Sequence, residues 1–393
     1  MPPSNTTVSH GGLPQQRRRL SVMAASLRLQ GGTRRASFLV SSFFKMRVLV
    51  TGGSGFIGQP IVADLLEAGH DVCIFDLQER IHQQQEIEVS SPSAGKKRKV
   101  DVKRPTFKMG SILDKNAVND ACAGVDLVVH LAAMLGVRKT EEQRLGCLQV
   151  NIEGTINVLE AIVKENVKRL IFASSSEVYG DAHVVPTPEV TPVQPSSVYG
   201  VSKVAGEEYV RSYAMRYGFD FVITRFFNAY GEGQVAEFVM SRFVLACRDA
   251  NGPICYGDGS QIRSFCHVDD IARGVRLIIS KLSSADAAER ATVNKEIFNI
   301  GNMAEPTSIH DLAKVVVKVA ATFLPQKTLA IKLVPFSESD RESSREFRKR
   351  MPDTRKAREI LGYVPSVSLE EGVNRMMSAF IEKSVFEPLH KAT

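Results

Sequence analysis

Tyr199 and Lys203 stand four residues apart in the run SVYGVSK. A helix starting near residue 198 places both side chains on one face, a phenol beside an ammonium group. That spacing alone also fits an ordinary pair on a helix surface. A second stretch, IFASSSEVYG at 171–180, ends 19 residues before Tyr199, and Ser175 precedes that tyrosine by 24. Its apolar run collapses into Ser174, Ser175 and Ser176, with the carboxylate of Glu177 beside them. A hydroxyl, a phenol, an ammonium and a carboxylate are the groups that pass protons in acid–base catalysis. Serines also end strands for structural reasons, so the stretch takes its meaning from what holds it.

The scaffold begins at MRVLVTGGSGFIGQPIVADLLEAGHDVCIFD. Arg47–Val50 reads as a strand, and Gly52, Gly55 and Gly58 follow at three-residue spacing. Ile61, Val62, Leu65 and Leu66 then recur at helical spacing, Gly69 stops the helix, and Val72–Phe75 is a second strand ending in Asp76. Gly52 permits the tight turn, Gly55 lets backbone approach a pyrophosphate, and Gly58 lets helix and strand pack closely. The helix N-terminus offers unpaired N–H groups to phosphate. A carboxylate at Asp76 accepts from ribose hydroxyls and repels a 2′-phosphate, which favours NAD over NADP. Strand, glycines, helix, strand and acid in this order form a specific dinucleotide signature.

The alternation continues. Asp126–His130 is a strand running into Leu131, Ala132 and Ala133. Residues 141–166 carry Leu145, Leu148, Ile152, Ile156, Leu159 and Val163 on one predicted helical face, and Arg169–Ala173 is the next strand. Strands alternating with helices predict an α/β fold, a doubly wound parallel Rossmann sheet. Ligands of such sheets bind beyond the carboxyl ends of the strands, where the serines lie.

From Met46 to the C-terminus the chain resembles the extended short-chain dehydrogenase/reductase family, in its nucleotide-sugar epimerase/dehydratase branch. Seven motifs carry the resemblance in the family's order: TGGSGFIG, HLAA at 130–133, SSSEVYG, SVYGVSK, RFFNAYG at 225–231, YGDGSQIRSF at 256–265 and PDTRKAREILGY at 352–363. One departure is MGSILD at 109–114, where Ser111 replaces the family's adenine-binding Asp.

The resemblance implies bound NAD, bordered by Gly52, Gly55, Phe56, Ile57, Gly58, Asp76, Leu131, Ala132, Ala133, Tyr199 and Lys203. It implies that Lys203 binds the nicotinamide ribose and, with the charge of NAD, lowers the pKa of Tyr199, the general base or acid. Counting back from Tyr179-Gly180 puts the catalytic hydroxyl on Ser175, leaving Ser174 and Ser176 to strand-end bonds with backbone. Asn228, Arg263 and Arg350 resemble the residues that meet the nucleotide diphosphate and sugar, which suits the rigid guanidinium fork. The shared first step is oxidation to a 4-keto sugar. A 4,6-dehydratase carries Asp-Glu where this chain has Ser176-Glu177. Decarboxylases carry Ser-Glu there together with an arginine like Arg263, whereas YGVSK resembles the epimerases. The expected reaction is therefore 4-epimerisation of a UDP-hexose or UDP-uronate. The alternative is a UDP-glucuronate decarboxylase using Glu177 and Arg263.

The same reading predicts three segments. They are a basic leader at 1–45, a NAD domain at 46–227 plus about 265–301, and an interleaved nucleotide-sugar lobe at about 228–264 plus 302–393, with Ser308 capping a helix. Segment 181–197, with Pro186, Pro188, Pro192 and Pro195, reads as an extended connection bordering the cleft. The helices at 141–166 and 199–217 are those the family uses to dimerise, so a homodimer is expected.

The net charge of +7 does not imply nucleic-acid binding. Residues 1–45 hold seven basic residues and no acid. Without those seven, the 50 basic residues fall to 43, equal to the 43 acidic ones. A non-catalytic dinucleotide sensor or RNA-binding relative typically lacks the Tyr/Lys pair, and here the body is neutral. The leader fits an organellar transit peptide, a disordered tail, or sequence ahead of a natural start at Met46. GKKRKV at 95–100 reads as a solvated loop or an import signal. No apolar run is long enough to span a bilayer. Six scattered cysteines lack the grouping of a metal site or disulfide framework, which fits buried thiols in a reducing, cytoplasmic setting.

Overall fold

The computed structural model describes residues 45–78, 88–90, 97–99, 104–338 and 348–382. The leader therefore lies outside the described residues except for Lys45, as do parts of the basic run. Lys97–Lys99 of that run pairs antiparallel with Glu88–Ser90.

The main sheet and its helices run β1 (Arg47–Thr51), α1 (Gly58–Glu67), β2 (Asp71–Asp76), β3 (Thr106–Met109), α2 (Lys115–Cys122), β4 (Leu127–His130), α3 (Gly154–Lys164) and β5 (Arg169–Ser175). They continue through α4 (Val198–Tyr217), β6 (Asp220–Phe226), α5 (Val268–Leu282) and β7 (Ile297–Ile300). The seven strands lie in the order β3-β2-β1-β4-β5-β6-β7, all parallel. The order reverses between β1 and β4, which opens a crevice beyond the carboxyl ends of those two strands. This is the doubly wound Rossmann-like sheet the alternation predicts.

The strands are apolar on both faces because both faces are covered. In β1, Val48 and Val50 join one core with Ile61 and Leu65 of α1 and Ile271, Val275 and Ile278 of α5. Leu49, between them, joins the other core with Val158, Leu159 and Ile162 of α3 and Val210 of α4. The period of two is also plain in β5, where Ile171 and Ala173 face the first core and Leu170 and Phe172 the second.

The predicted continuous helix over 141–166 is interrupted. Residues Val137–Glu142 and Arg144–Leu148 are short helices, Gln149–Glu153 is a π turn, and α3 follows. A π turn shifts the helical phase. Leu145, expected on the buried face, is 77% exposed, while Cys147 and Asn151 point inward.

A third apolar cluster gathers Tyr230, Met240, Phe243, Leu312, Val316, Met376 and Phe380 from helices Val239–Arg248, Ile309–Phe323 and Leu369–Glu382. Ser308 caps the second of these, its Oγ accepting from Asp311 N at 2.9 Å. All six cysteines are free, five of them buried. Among the described residues, no helix is long and apolar enough to cross a membrane.

Candidate active site

β5 ends at Ser175, and the chain turns at once into a 3-10 turn, Ser176–Tyr179. Beside it, Ser197 caps α4, its Oγ accepting from Gly200 N at 3.0 Å. α4 lies hard against the strand: a Cβ on Gly206 would meet Phe172 Cζ at 2.5 Å. This closeness lets Lys203 donate from Nζ to Ala173 O at 2.8 Å. The same ammonium sits 5.1 Å from the Phe172 ring centroid and 5.7 Å from that of Tyr199. Burial pulls the Lys203 pKa down to about 8, against the opposing pull of Cys147 and Glu207.

Tyr199 is half-buried, with the Ser175 hydroxyl near enough to its phenol to favour the ionised form. Burial first, and the Glu177 carboxylate second, push the phenol above its ordinary pKa, while the Ser175 hydroxyl pulls it back. Desolvation and the Glu177 carboxylate thus oppose the lowering expected from Lys203 together with a bound nicotinamide.

The three serines have different partners. Ser174 Oγ donates to Glu207 Oε1 at 2.6 Å. Glu207 in turn accepts from Arg225 at 2.8 and 2.7 Å and from Arg211 at 3.1 Å. The predicted bond from Ser174 to backbone is thus replaced by a buried carboxylate. Ser176 is buried in the turn. Ser175 accepts from Glu177 N at 3.2 Å and keeps its hydroxyl toward Tyr199.

Glu177 is a junction. Its Oε2 accepts from Ser197 Oγ at 2.6 Å, and its Oε1 lies 3.9 Å from Arg350 Nη1. A Cβ on Gly200 would stand 2.8 Å from Glu177 O, so the glycine of YGVSK is required by this contact. Arg263 and Arg350 are register partners on parallel strands Ile262–Ser264 and Lys349–Arg350, which sets them side by side on one face. Asn228, at φ +38°, ties both strands down by donating from Nδ2 to Ser264 O at 3.1 Å and Arg350 O at 3.3 Å. Arg350 is the arginine that approaches Glu177, and its register partner Arg263 donates from Nη1 to Ile262 O at 2.9 Å. The proline-rich segment does border this group: Thr187 N donates to Met351 O and Asp353 N to Thr187 O, each at 2.9 Å.

The crevice between β1 and β4 is lined as a dinucleotide requires. Gly52 has φ +71°, and a Cβ there would lie 2.7 Å from Ala132 N. A Cβ on Gly58 would stand 2.4 Å from Gly52 O, and one on Gly55 3.1 Å from the same oxygen. Any side chain would therefore fill the cradle below the N-terminus of α1. Asp76 ends β2, its Oδ2 accepting from Ser54 N at 3.0 Å. Ser54 Oγ is buried with no protein partner, a polar atom left for a ligand. These residues fit NAD. Ser111, at the far end of β3, accepts from Leu113 N at 3.2 Å and so shapes its own turn.

A sequence model of the NAD dependent epimerase/dehydratase family matches residues 48–301. The chain belongs to that family. Its relatives include the UDP-N-acetyl-alpha-D-glucosaminuronate decarboxylase of Bacillus cytotoxicus, 32% identical over 86% of this chain and 98% of that protein. The UDP-glucose 4-epimerase of Thermotoga maritima, solved with UDP-glucose, superposes with a TM-score of 0.71 at 29% identity, covering 86% of this chain and 99% of that one. The dTDP-glucose 4,6-dehydratase DesIV of Streptomyces venezuelae, solved with NAD, gives 0.70 at 28% identity over 87% and 99%. Three different reactions thus occur at nearly equal similarity.

Several residues that build this family member's site escaped the sequence reading. Asn151, from the π turn, clasps Met134 by accepting from its N at 2.7 Å and donating to its O at 3.0 Å. It also donates to Ser202 Oγ at 2.9 Å, and Ser202 donates to Tyr199 O at 2.7 Å. The available signal was an asparagine within an apolar helical period. Ser197 was visible as the polar residue before a helix, but its bond to Glu177 was not.

Proposed function

We propose that this chain, an enzyme of the NAD-dependent nucleotide-sugar epimerase/dehydratase/decarboxylase group, is a 4-epimerase of a UDP-hexose or UDP-uronate. NAD, held at the glycine cradle and Asp76, supplies a hydride acceptor at the sugar. Tyr199 takes the proton from the C4 hydroxyl, Ser175 hydrogen-bonds that hydroxyl, and Lys203 holds the ribose while its charge favours the phenolate. Asn228, Arg263 and Arg350 receive the nucleotide diphosphate. After the sugar turns over, Tyr199 would return the same proton to the C4 oxygen, and bound NAD would give back the hydride it accepted. The observation that carries this reading is the commitment of Glu177 to Ser197 at 2.6 Å. It makes Glu177 part of the support of the catalytic helix rather than a group free to act on the sugar.

A second reading is favoured by one contact. The Glu177–Arg350 approach of 3.9 Å would put a cation beside a C6 carboxylate, as a decarboxylase needs. The deciding experiment incubates the protein and NAD with UDP-glucose, UDP-GlcNAc, UDP-glucuronate and GDP-mannose and identifies products by mass and NMR. Unchanged mass with inverted C4 supports the epimerase; loss of CO2 replaces it with the decarboxylase; no turnover of any of them overturns both.

We further propose a homodimer through α4 and the segment before α3. Leu145, Val201, Met215 and Tyr217 are exposed on these two segments, large apolar side chains that a partner copy would cover. A monomer by light scattering at micromolar concentration would refute this.

A further inference from the structure

His130, the last residue of β4, is buried, bonds to β1 and to the first turn of α3, and belongs to no role assigned above. Its two ring nitrogens are both engaged: Nδ1 with Thr51 Oγ1 at 2.7 Å and Nε2 with Thr155 Oγ1 at 3.0 Å. The direction of each bond can be deduced. Thr155 gives its proton to Asn151 O at 2.7 Å, so its oxygen can only accept from His130, and Nε2 carries the hydrogen. Nδ1 is then bare and accepts from Thr51, whose oxygen accepts in turn from Ala132 N at 3.3 Å. A single chain of donors runs from Ala132 through Thr51, His130 and Thr155 to Asn151. That chain ends on the Asn151 backbone carbonyl, and so fixes the residue whose side-chain amide accepts from Met134 N, donates to Met134 O and, through Ser202, reaches the backbone of Tyr199. The imidazole also stands 5.8 Å from the Phe172 ring, the ring that supports Lys203.

We propose that His130 is a positioning residue for the NAD-dependent reaction, locking the cofactor-side segment Leu131–Met134 to the helix carrying Tyr199 and Lys203. The proposal rests on the NAD reading above. It works because a one-way chain has no alternative pattern: if one member is lost, another buried donor or acceptor is left unpaired.

The test compares wild type, Thr155→Val, His130→Asn and the double variant, each as full-length protein. NAD binding is measured by calorimetry and turnover on the substrate found active above. Each single change should weaken NAD about tenfold and lower kcat about tenfold, with KM for the nucleotide sugar unchanged. The double variant should be no worse than the worse single one, because either change breaks the same chain. Additive losses overturn the proposal, as do normal NAD affinity and kcat in both single variants with only a lower melting midpoint. A wild-type protein that binds no NAD overturns the cofactor reading and the proposal together. Tight NAD in wild type with unaffected variants overturns the proposal alone.

Discussion

Replacing Glu177 by Gln keeps the size and one acceptor but removes the charge, and its effects can be worked out from three contacts. The charge-assisted bond from Ser197 becomes a neutral one, a loss of about 1 kcal/mol. The contact with Arg350 at 3.9 Å would be worth about 4 kcal/mol at an effective dielectric near 20. Both side chains are partly solvated, which reduces that to roughly 1 kcal/mol. The variant should therefore unfold about 1–2 kcal/mol more easily, a shift of a few degrees. The third effect is on Tyr199. The carboxylate raises the phenol pKa, so removing it lowers that pKa. Where Tyr199 acts as base, kcat/KM rises with pH through this ionisation, and the rising limb moves to lower pH in Glu177→Gln. In an epimerase kcat stays within about tenfold of wild type, because Glu177 touches no reacting atom. In a decarboxylase it falls by about a hundredfold or more. The assay is a pH–rate profile on the active substrate with a melting curve beside it. An unmoved limb and an unmoved midpoint together would refute the account of Glu177 as a charged strut beside the base.

Three further outcomes are expected. Burial, with a smaller effect of Lys203, holds His130 neutral down to about pH 3. Its folded pKa is depressed, so its contribution to stability is complete above the unfolded value near 6.5 and is lost as pH falls toward 3; urea unfolding across pH 7 to 4 should show a shallower loss for His130→Asn. Gly58→Ala forces a Cβ against Gly52 O at 2.4 Å, a backbone contact that cannot yield, so NAD binding by calorimetry should disappear even where circular dichroism shows a folded chain. Asp76→Ser removes the charge that repels a 2′-phosphate and frees Ser54 N, so the ratio of NADP to NAD affinity should rise at least about tenfold; an unchanged ratio would show that Asp76 does not read the ribose.

What was legible in the sequence was whatever depends on short spacing. The glycine cradle, Asp76 and the Tyr199–Lys203 pair lie within one β-α-β unit or one helix turn, and local geometry fixes them. Period-two burial in β1 and β5 follows from hydrophobic runs covered on both faces. What was not legible depends on chain segments that meet only after folding. Glu177 meets Arg350 because a two-residue strand, Lys349–Arg350, pairs with Ile262–Ser264, and a strand that short has no periodicity to read. The π turn was hidden for a different reason. The apolar residues at 145, 148, 152, 156 and 159 satisfy an ideal helix, yet the chain forms a π turn there, and from that turn Asn151 bonds Met134 and Ser202. The bonds Asn151 makes offset the phase shift and expose Leu145.

The same reasoning separates the three serines that look equivalent in the sequence. Alternation along β5 sends Ser174 toward α4, where Glu207 and Arg225 form a buried ion pair. Such a carboxylate needs all its acceptor sites filled, and Ser174 fills one. Ser176 is carried inward by the 3-10 turn. Only Ser175 ends the strand with its hydroxyl facing Tyr199. Ser174→Ala should therefore lower the melting midpoint with little change in kcat, and Ser175→Ala should lower kcat with little change in midpoint. The reverse pattern would move the catalytic hydroxyl to Ser174 and turn the Glu207–Arg225 pair from support into machinery.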